Sequence, residues 1–89
     1  MISVKKLVLD VLKPHQPNAL EFSSAIAAVG AGYRVYLTVL EVDERTETLQ
    51  MVVEAEAIDF DAIQAAISRM GGSLHSIDEV EVHNETDLG

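Results

Sequence analysis

The sequence predicts one α+β domain of order β-α-β-β-α-β. Three observations carry this: four runs of β-branched and aliphatic residues, two stretches with apolar residues recurring every three or four positions, and glycine or proline at the joins. At 89 residues the chain is too short for two hydrophobic cores, and a domain of this size buries roughly 60 to 65% of its unfolded surface. Hydrophobic residues make up 48% of it, enough for a core without help from a metal or disulfide, although so small a domain gains from association.

Ser3 to Leu12 reads as a central strand covered on both sides, with Leu7, Leu9 and Val11 on one face and Val4, Val8 and Leu12 on the other. Lys13-Pro14-His15-Gln16-Pro17 breaks it, because neither proline can donate to a ladder, and Pro17 or Asn18 suits a first helical turn. From Asn18 to Val29 the residues Ala19, Phe22, Ile26 and Val29 form one apolar stripe of a helix, which Gly30 stops. Tyr33 to Val42 and Thr48 to Ala57 read as strands, joined through the hairpin residues Asp43-Glu44-Arg45-Thr46.

Asp59 caps a second helix whose stripe is Phe60, Ile63, Ile67 and Met70, ended by Gly71-Gly72. Leu74 to Val82 supplies the last strand, and its apolar parity slips between Ile77 and Val80, which predicts a bulge or bend near Asp78. Residues 1–83 form the expected domain, with 84–89 a frayed polar tail. Right-handed crossovers make the first and last strands neighbours in a four-stranded antiparallel sheet of order 4-1-3-2, with both helices on one face: the ferredoxin-like arrangement. The uncovered face then carries Val8, Leu12, Tyr36, Leu40 and Val52 beside Asp10, Thr38, Gln50, Glu54 and Glu56. That is apolar enough to predict packing against another copy.

Composition narrows the function. The absence of cysteine excludes disulfides, thiolate metal sites and cysteine nucleophiles. Fifteen acidic against six basic residues leave a charge of -9, a field that repels nucleic acid and favours cations, basic partners or solubility in concentrated salt. Met1 to Asp10 resembles neither a signal peptide nor a membrane span, so a cytoplasmic protein is expected. The first and third strands lack the aromatics of an RNA-recognition sheet. The loop after strand 1 lacks the arginine of an acylphosphatase, and a heavy-metal carrier of this topology needs the missing cysteine pair.

The topology collects the remaining polar residues at one end of the sheet, with Asp10 opposite His75, Lys13 and His15 in the adjoining loop, and Asp43 in the hairpin. A divalent cation is one reading, taken by His75 with Asp10, Asp78 or Glu79, since imidazole and carboxylate suit several metals. His-x-x-Asp-Glu has no defined ligand spacing, however, and the bland reading is a set of hydrogen-bonding strand-end residues. An anion at Lys13 and His15, ahead of the first helix, is another reading, without a glycine-rich cradle to support it. No catalytic constellation is visible: Ser76 and His75 are strand neighbours that point apart, and Glu54 and Glu56 read as surface.

Leu9-Asp10-Val11-Leu12-Lys13-Pro14-His15, Glu41-Val42-Asp43 with Thr46-Glu47, and His75-Ser76-Ile77-Asp78-Glu79-Val80 after Gly71-Gly72 resemble the motifs of an archaeal family known as domain of unknown function 211. The resemblance covers nearly the whole chain. It implies a ferredoxin-like fold, an archaeal cytosolic protein and a ring-like or other homo-oligomer, and no established activity. Ala55, Gly30-Ala31-Gly32 and Glu81-Val82-His83 depart from the family pattern.

The expectation is therefore a homo-oligomeric binding or regulatory module that associates through the open sheet face. It takes a small ligand or divalent cation near Asp10, Lys13, His15, His75 and Asp78, with neither nucleic acid nor membrane as partner. A structural subunit without a ligand is the alternative, and a metal-dependent hydrolase using the same residues ranks third.

Overall fold

A computed structural model describes residues 1–85, and most of the polar tail expected at 84–89 lies outside the described residues. The elements run β1 (Ile2–Pro14), α1 (Ala19–Ala27), β2 (Arg34–Val42), β3 (Thr46–Glu54), α2 (Phe60–Arg69) and β4 (Ser73–Asn84). The sheet is antiparallel with order β2-β3-β1-β4, which is the expected 4-1-3-2 read from the other edge.

Both helices start where sequence chemistry places them. Asn18 accepts from the Glu21 amide while the Glu21 carboxylate accepts from the Asn18 amide, a reciprocal cap that satisfies two otherwise free donors. Asp59 accepts from the Ala62 amide and caps α2. Gly71, at φ 82°, ends α2 in the left-handed region that glycine reaches without strain. Gly30 does not end α1 in this way: the helix closes at Ala28, and Gly32 takes the positive φ. A Cβ on Gly30 would meet the Tyr33 ring at 2.7 Å, so glycine there makes room for the ring. The Tyr33 hydroxyl in turn accepts from the Asp59 amide at 2.8 Å, tying the start of α2 to the sheet.

The core lies between sheet and helices. Leu7, Leu9 and Val11 of β1 and Leu49, Met51 and Val53 of β3 face Phe22, Ile26, Ile63, Ala66 and Ile67. Val4 was expected on the opposite face from Leu7, yet it packs against this core, because Lys5 is an extra residue in β1 between the pairs Val4–Val82 and Lys6–Glu81. Two further bulges shape β4. Val8 pairs Glu79 and Leu9 pairs Ile77, leaving Asp78 as the expected extra residue; Asp10 pairs Ser76 and Val11 pairs Leu74, leaving His75 as another. The bulges convert two-residue alternation into three-residue steps, so Leu74, Ile77 and Val80 all oppose core residues of β1.

Several element boundaries differ from expectation: β4 runs on to Asn84, which pairs with Ile2 instead of opening the tail, the Glu85 amide donates to the Met1 carbonyl, and β3 begins at Thr46 within the expected hairpin. Lys13 and Pro14 belong to β1, paired with Glu47 and Thr46, instead of opening the loop. Strand β3 stops at Glu54, because the Ala55 and Ile58 amides turn to donate to the Lys5 and Val4 carbonyls. Glu56 therefore leaves the open face on which it was expected and pairs with Lys5 at 3.3 Å. Tyr36, Thr38 and Val52 keep the expected parity, with Tyr36 and Val52 cross-strand neighbours and Val52 opposite Val8, but Leu40 is the extra residue of a β2 bulge and Glu41 takes the expected place opposite Thr48.

Candidate functional site

The polar residues expected as one group divide between the two faces of the sheet. Lys13 follows Leu7, Leu9 and Val11 in the same alternation and so points toward the helix side, where its side chain is 0% exposed. Its ammonium donates to the Pro14 carbonyl at 2.8 Å and the His15 carbonyl at 3.4 Å, and meets the Glu47 carboxylate at 3.0 Å. Three donors and three acceptors leave a buried cation fully paired. No room for an exogenous anion remains on it.

His15 continues the network. Its Nδ1 lies 3.0 Å from Glu47 Oε2 and its Nε2 lies 3.0 Å from the Glu44 carbonyl. Both partners are acceptors, so both nitrogens must carry protons and the geometry is that of the imidazolium. The Glu47 carboxylate, with the Glu44 carbonyl second, accordingly raises the His15 pKa above its ordinary value. The Glu47 pKa is lowered in return by His15 and then by Lys13. The cluster ties the end of β1, the following loop and the tip of the β2–β3 hairpin into one unit. Sequence reasoning placed Lys13 and His15 here and missed Glu47, although Glu47 shares the alternation of Leu49, Met51 and Val53.

The linkage has a definite sign. A raised His15 pKa contributes stability that is complete below the ordinary imidazole value of about 6.5 and is lost as pH rises through the folded value. A lowered Glu47 pKa contributes stability present above its ordinary value of about 4.3 and lost as pH falls through the folded one. The network is therefore strongest in the mildly acidic interval between those ordinary values. Melting temperature measured across pH should fall on the alkaline side in the wild type, and His15→Gln should flatten that limb; an unchanged limb would show that His15 does not titrate against Glu47.

Asp10 and His75 lie on the open face. Asp10 Oδ2 is 4.0 Å from His75 Nδ1, and the bulge at His75 brings the imidazole over Asp10 instead of past it. The other Asp10 oxygen, Oδ1, is buried without a hydrogen-bond partner. Asp78 accepts from the Ser76 hydroxyl at 2.7 Å, and Glu79 pairs with Lys6 at 3.0 Å. The four residues considered for a cation therefore share one face of the β1–β4 edge, with only Asp10 and His75 meeting. Among the described residues no three His, Asp or Glu side chains converge as a metal-holding group.

At the other end of the sheet Lys5, Lys6 and Arg34 line a cleft of about 410 Å³ with Glu54, Glu81 and His83. Each cation there already has a carboxylate partner, Lys5 with Glu56 and Glu85, Lys6 with Glu79, and Arg34 with Glu54 at 3.5 Å. The cleft is a self-neutralised surface. Among the described residues no helix is long and apolar enough to cross a membrane.

Two helices on one face of a β2-β3-β1-β4 antiparallel sheet, with a polar edge where β1 meets β4, define a small ferredoxin-like α+β protein. The chain belongs to the DUF211 family, described as an uncharacterized ArCR, which it matches over residues 5–86. It is similar to the uncharacterized protein MJ0319 of the archaeon Methanocaldococcus jannaschii, with 39% identity over 80 residues that span 90% of this chain and 82% of that one.

Proposed function

We propose that the chain is a cytoplasmic, homo-oligomeric binding or regulatory module that takes a small ligand or divalent cation at Asp10 and His75. The observation that carries this reading is Asp10 Oδ1, a buried carboxylate oxygen with no partner, beside an imidazole 4.0 Å from its other oxygen. Leaving such an atom unpaired is costly, and a bound donor or cation removes the cost. A cation held by two protein groups keeps water in its remaining positions or draws ligands from another copy. The open face supports self-association, since Tyr36 on it is 55% exposed. The Lys13, His15 and Glu47 cluster is satisfied internally and orders the scaffold.

Native mass spectrometry of protein purified without chelator tests both halves. A discrete oligomer with extra mass on each subunit is the expected result. A bare oligomer would favour a structural subunit, and a bare monomer would overturn self-association. Manganese or zinc at about a hundredfold excess over Kd should stabilise the wild type by roughly 2.7 kcal/mol. The gain should vanish in Asp10→Asn and in His75→Ala; a gain that persists in both would move the ligand elsewhere.

A further inference from the structure

Strand pairing arranges the open face in rows that run from edge to edge. Gln50, Asp10 and Ser76 lie opposite one another in a polar row, and Tyr36, Val52 and Val8 form an apolar row beside it. The other carboxylates on β3 and β4 near these rows have partners: Glu54 meets Arg34, Glu79 meets Lys6, and Asp78 accepts from the Ser76 hydroxyl. Asp10 Oδ1 is the only buried side-chain oxygen or nitrogen among the described residues that lacks one. Lys6, on the same face of β1, is held by Glu79, and Lys13 is buried on the helix side with Glu47. Among the described residues the chain thus offers Asp10 no lysine or arginine of its own.

We infer that the ligand at Asp10 is a small organic ammonium, a primary amine with an apolar tail, and not a bare metal ion. This rests on Asp10 as the binding group proposed above and names the class of its ligand. A metal ion gathers four or more ligands, and among the described residues no third His, Asp or Glu joins Asp10 and His75. A primary ammonium needs three acceptors. Asp10 supplies a carboxylate oxygen, Gln50 a carboxamide oxygen from the β3 side, and Ser76, whose proton goes to Asp78, a hydroxyl lone pair from the β4 side. Residues opposed in this way have Cβ atoms about 4.5–5.5 Å apart, close enough to converge on one nitrogen. The apolar row begins two residues along the strand, a rise of about 7 Å, within reach of a butyl chain. Val8, 7% exposed, is its floor, and the half-exposed Tyr36 ring is its rim. The net charge of -9 draws cations toward this face from solution. His75 flanks the carboxylate at 4.0 Å and is not one of the acceptors.

Thermal unfolding at constant ionic strength tests this, with n-butylammonium chloride as the probe. It should raise the melting temperature of the wild type. Butyltrimethylammonium, which has the same charge and tail but no N–H donor, should not. From ethylammonium to butylammonium each added methylene should tighten binding about threefold to fourfold, the factor for burying one CH₂. Asp10→Asn should abolish the effect, and Val52→Thr should flatten its dependence on tail length. His75→Ala should leave the butylammonium effect in place while removing any stabilisation by manganese. Manganese stabilising the wild type where butylammonium does not would overturn the ammonium assignment and leave the site at Asp10 standing. Silence from both would remove the site as well. A butylammonium effect that survives Asp10→Asn, or is matched by the quaternary analogue, would mean general attraction to an acidic surface and would also overturn the assignment.

Discussion

Replacing Lys13 with methionine is expected to lower stability by about 3 kcal/mol, an estimate resting on the cost of each buried acceptor left without a donor. The substitution preserves the length and apolar stem of a side chain that is 0% exposed, so no large cavity contributes. What it removes is the shared donor for the Pro14 carbonyl, the His15 carbonyl and Glu47. For a domain of this length the loss corresponds to a melting temperature lower by on the order of 15 °C. Glu47→Gln should couple to it: once either charge is removed, Lys13 keeps only the Pro14 and His15 carbonyls or Glu47 keeps only His15, so the double variant costs less than the two single changes together. Additive losses in chemical denaturation would mean that the two side chains act independently, contrary to their 3.0 Å contact.

Phe22→Ala is expected to cost about 3–5 kcal/mol, the range for emptying a buried aromatic site. Phe22 is 0% exposed and anchors α1 against Leu9, Val11 and the facing residues of β3 and α2. Alanine favours the helix itself, so the loss reports packing alone. Leu20, two positions earlier on the same helix, is 75% exposed, and Leu20→Ala should change stability by less than about 0.5 kcal/mol. The pair is read from urea midpoints at constant slope. Equal midpoints would mean that the stripe of Phe22 and Ile26 does not face the sheet.

Much of the architecture is legible in the residues because local and global preferences agree. The helix stripes, the caps at Asn18 and Asp59, the β-branched and aliphatic strand runs and the bulge at Asp78 each leave a mark within a few positions of the sequence. The bulges at Lys5 and His75 leave weaker marks, since their neighbours are polar at a sheet edge and tolerate either parity. Lys13 is the instructive case. A lysine followed by proline reads as solvated loop, and only the alternation from Leu7 through Val11 points it inward. Its partner Glu47 joins it by a pairing between strands distant in sequence, which no local pattern records. Glu56 errs the other way: the alternation of Glu54, Ala55 and Glu56 continues after the backbone has turned toward Val4 and Lys5. The meeting of Asp10 with His75 was visible from topology, but the unpaired Asp10 oxygen depends on side-chain positions that sequence does not specify.

The placement of β1 at the centre of the sheet bears on how the chain acquires its fold. Strand β1 is made first, yet both its partners come late: Leu9 pairs with Met51 on one side and Ile77 on the other. Only the β2–β3 hairpin joins consecutive strands. Ordering β1 therefore requires closure of long loops, whose entropy is lost before the contacts form. A nascent chain that ends within the hairpin holds Leu7, Val8, Leu9 and Val11 without a ladder, so synthesis passes through a stage in which its central strand has no mate. Ribosome-bound chains truncated before Thr46 should be cut readily by protease within β1, and those extended past Asn84 and clear of the exit tunnel should resist. Protection that appears before β3 has emerged would mean that β1 finds temporary shelter against α1.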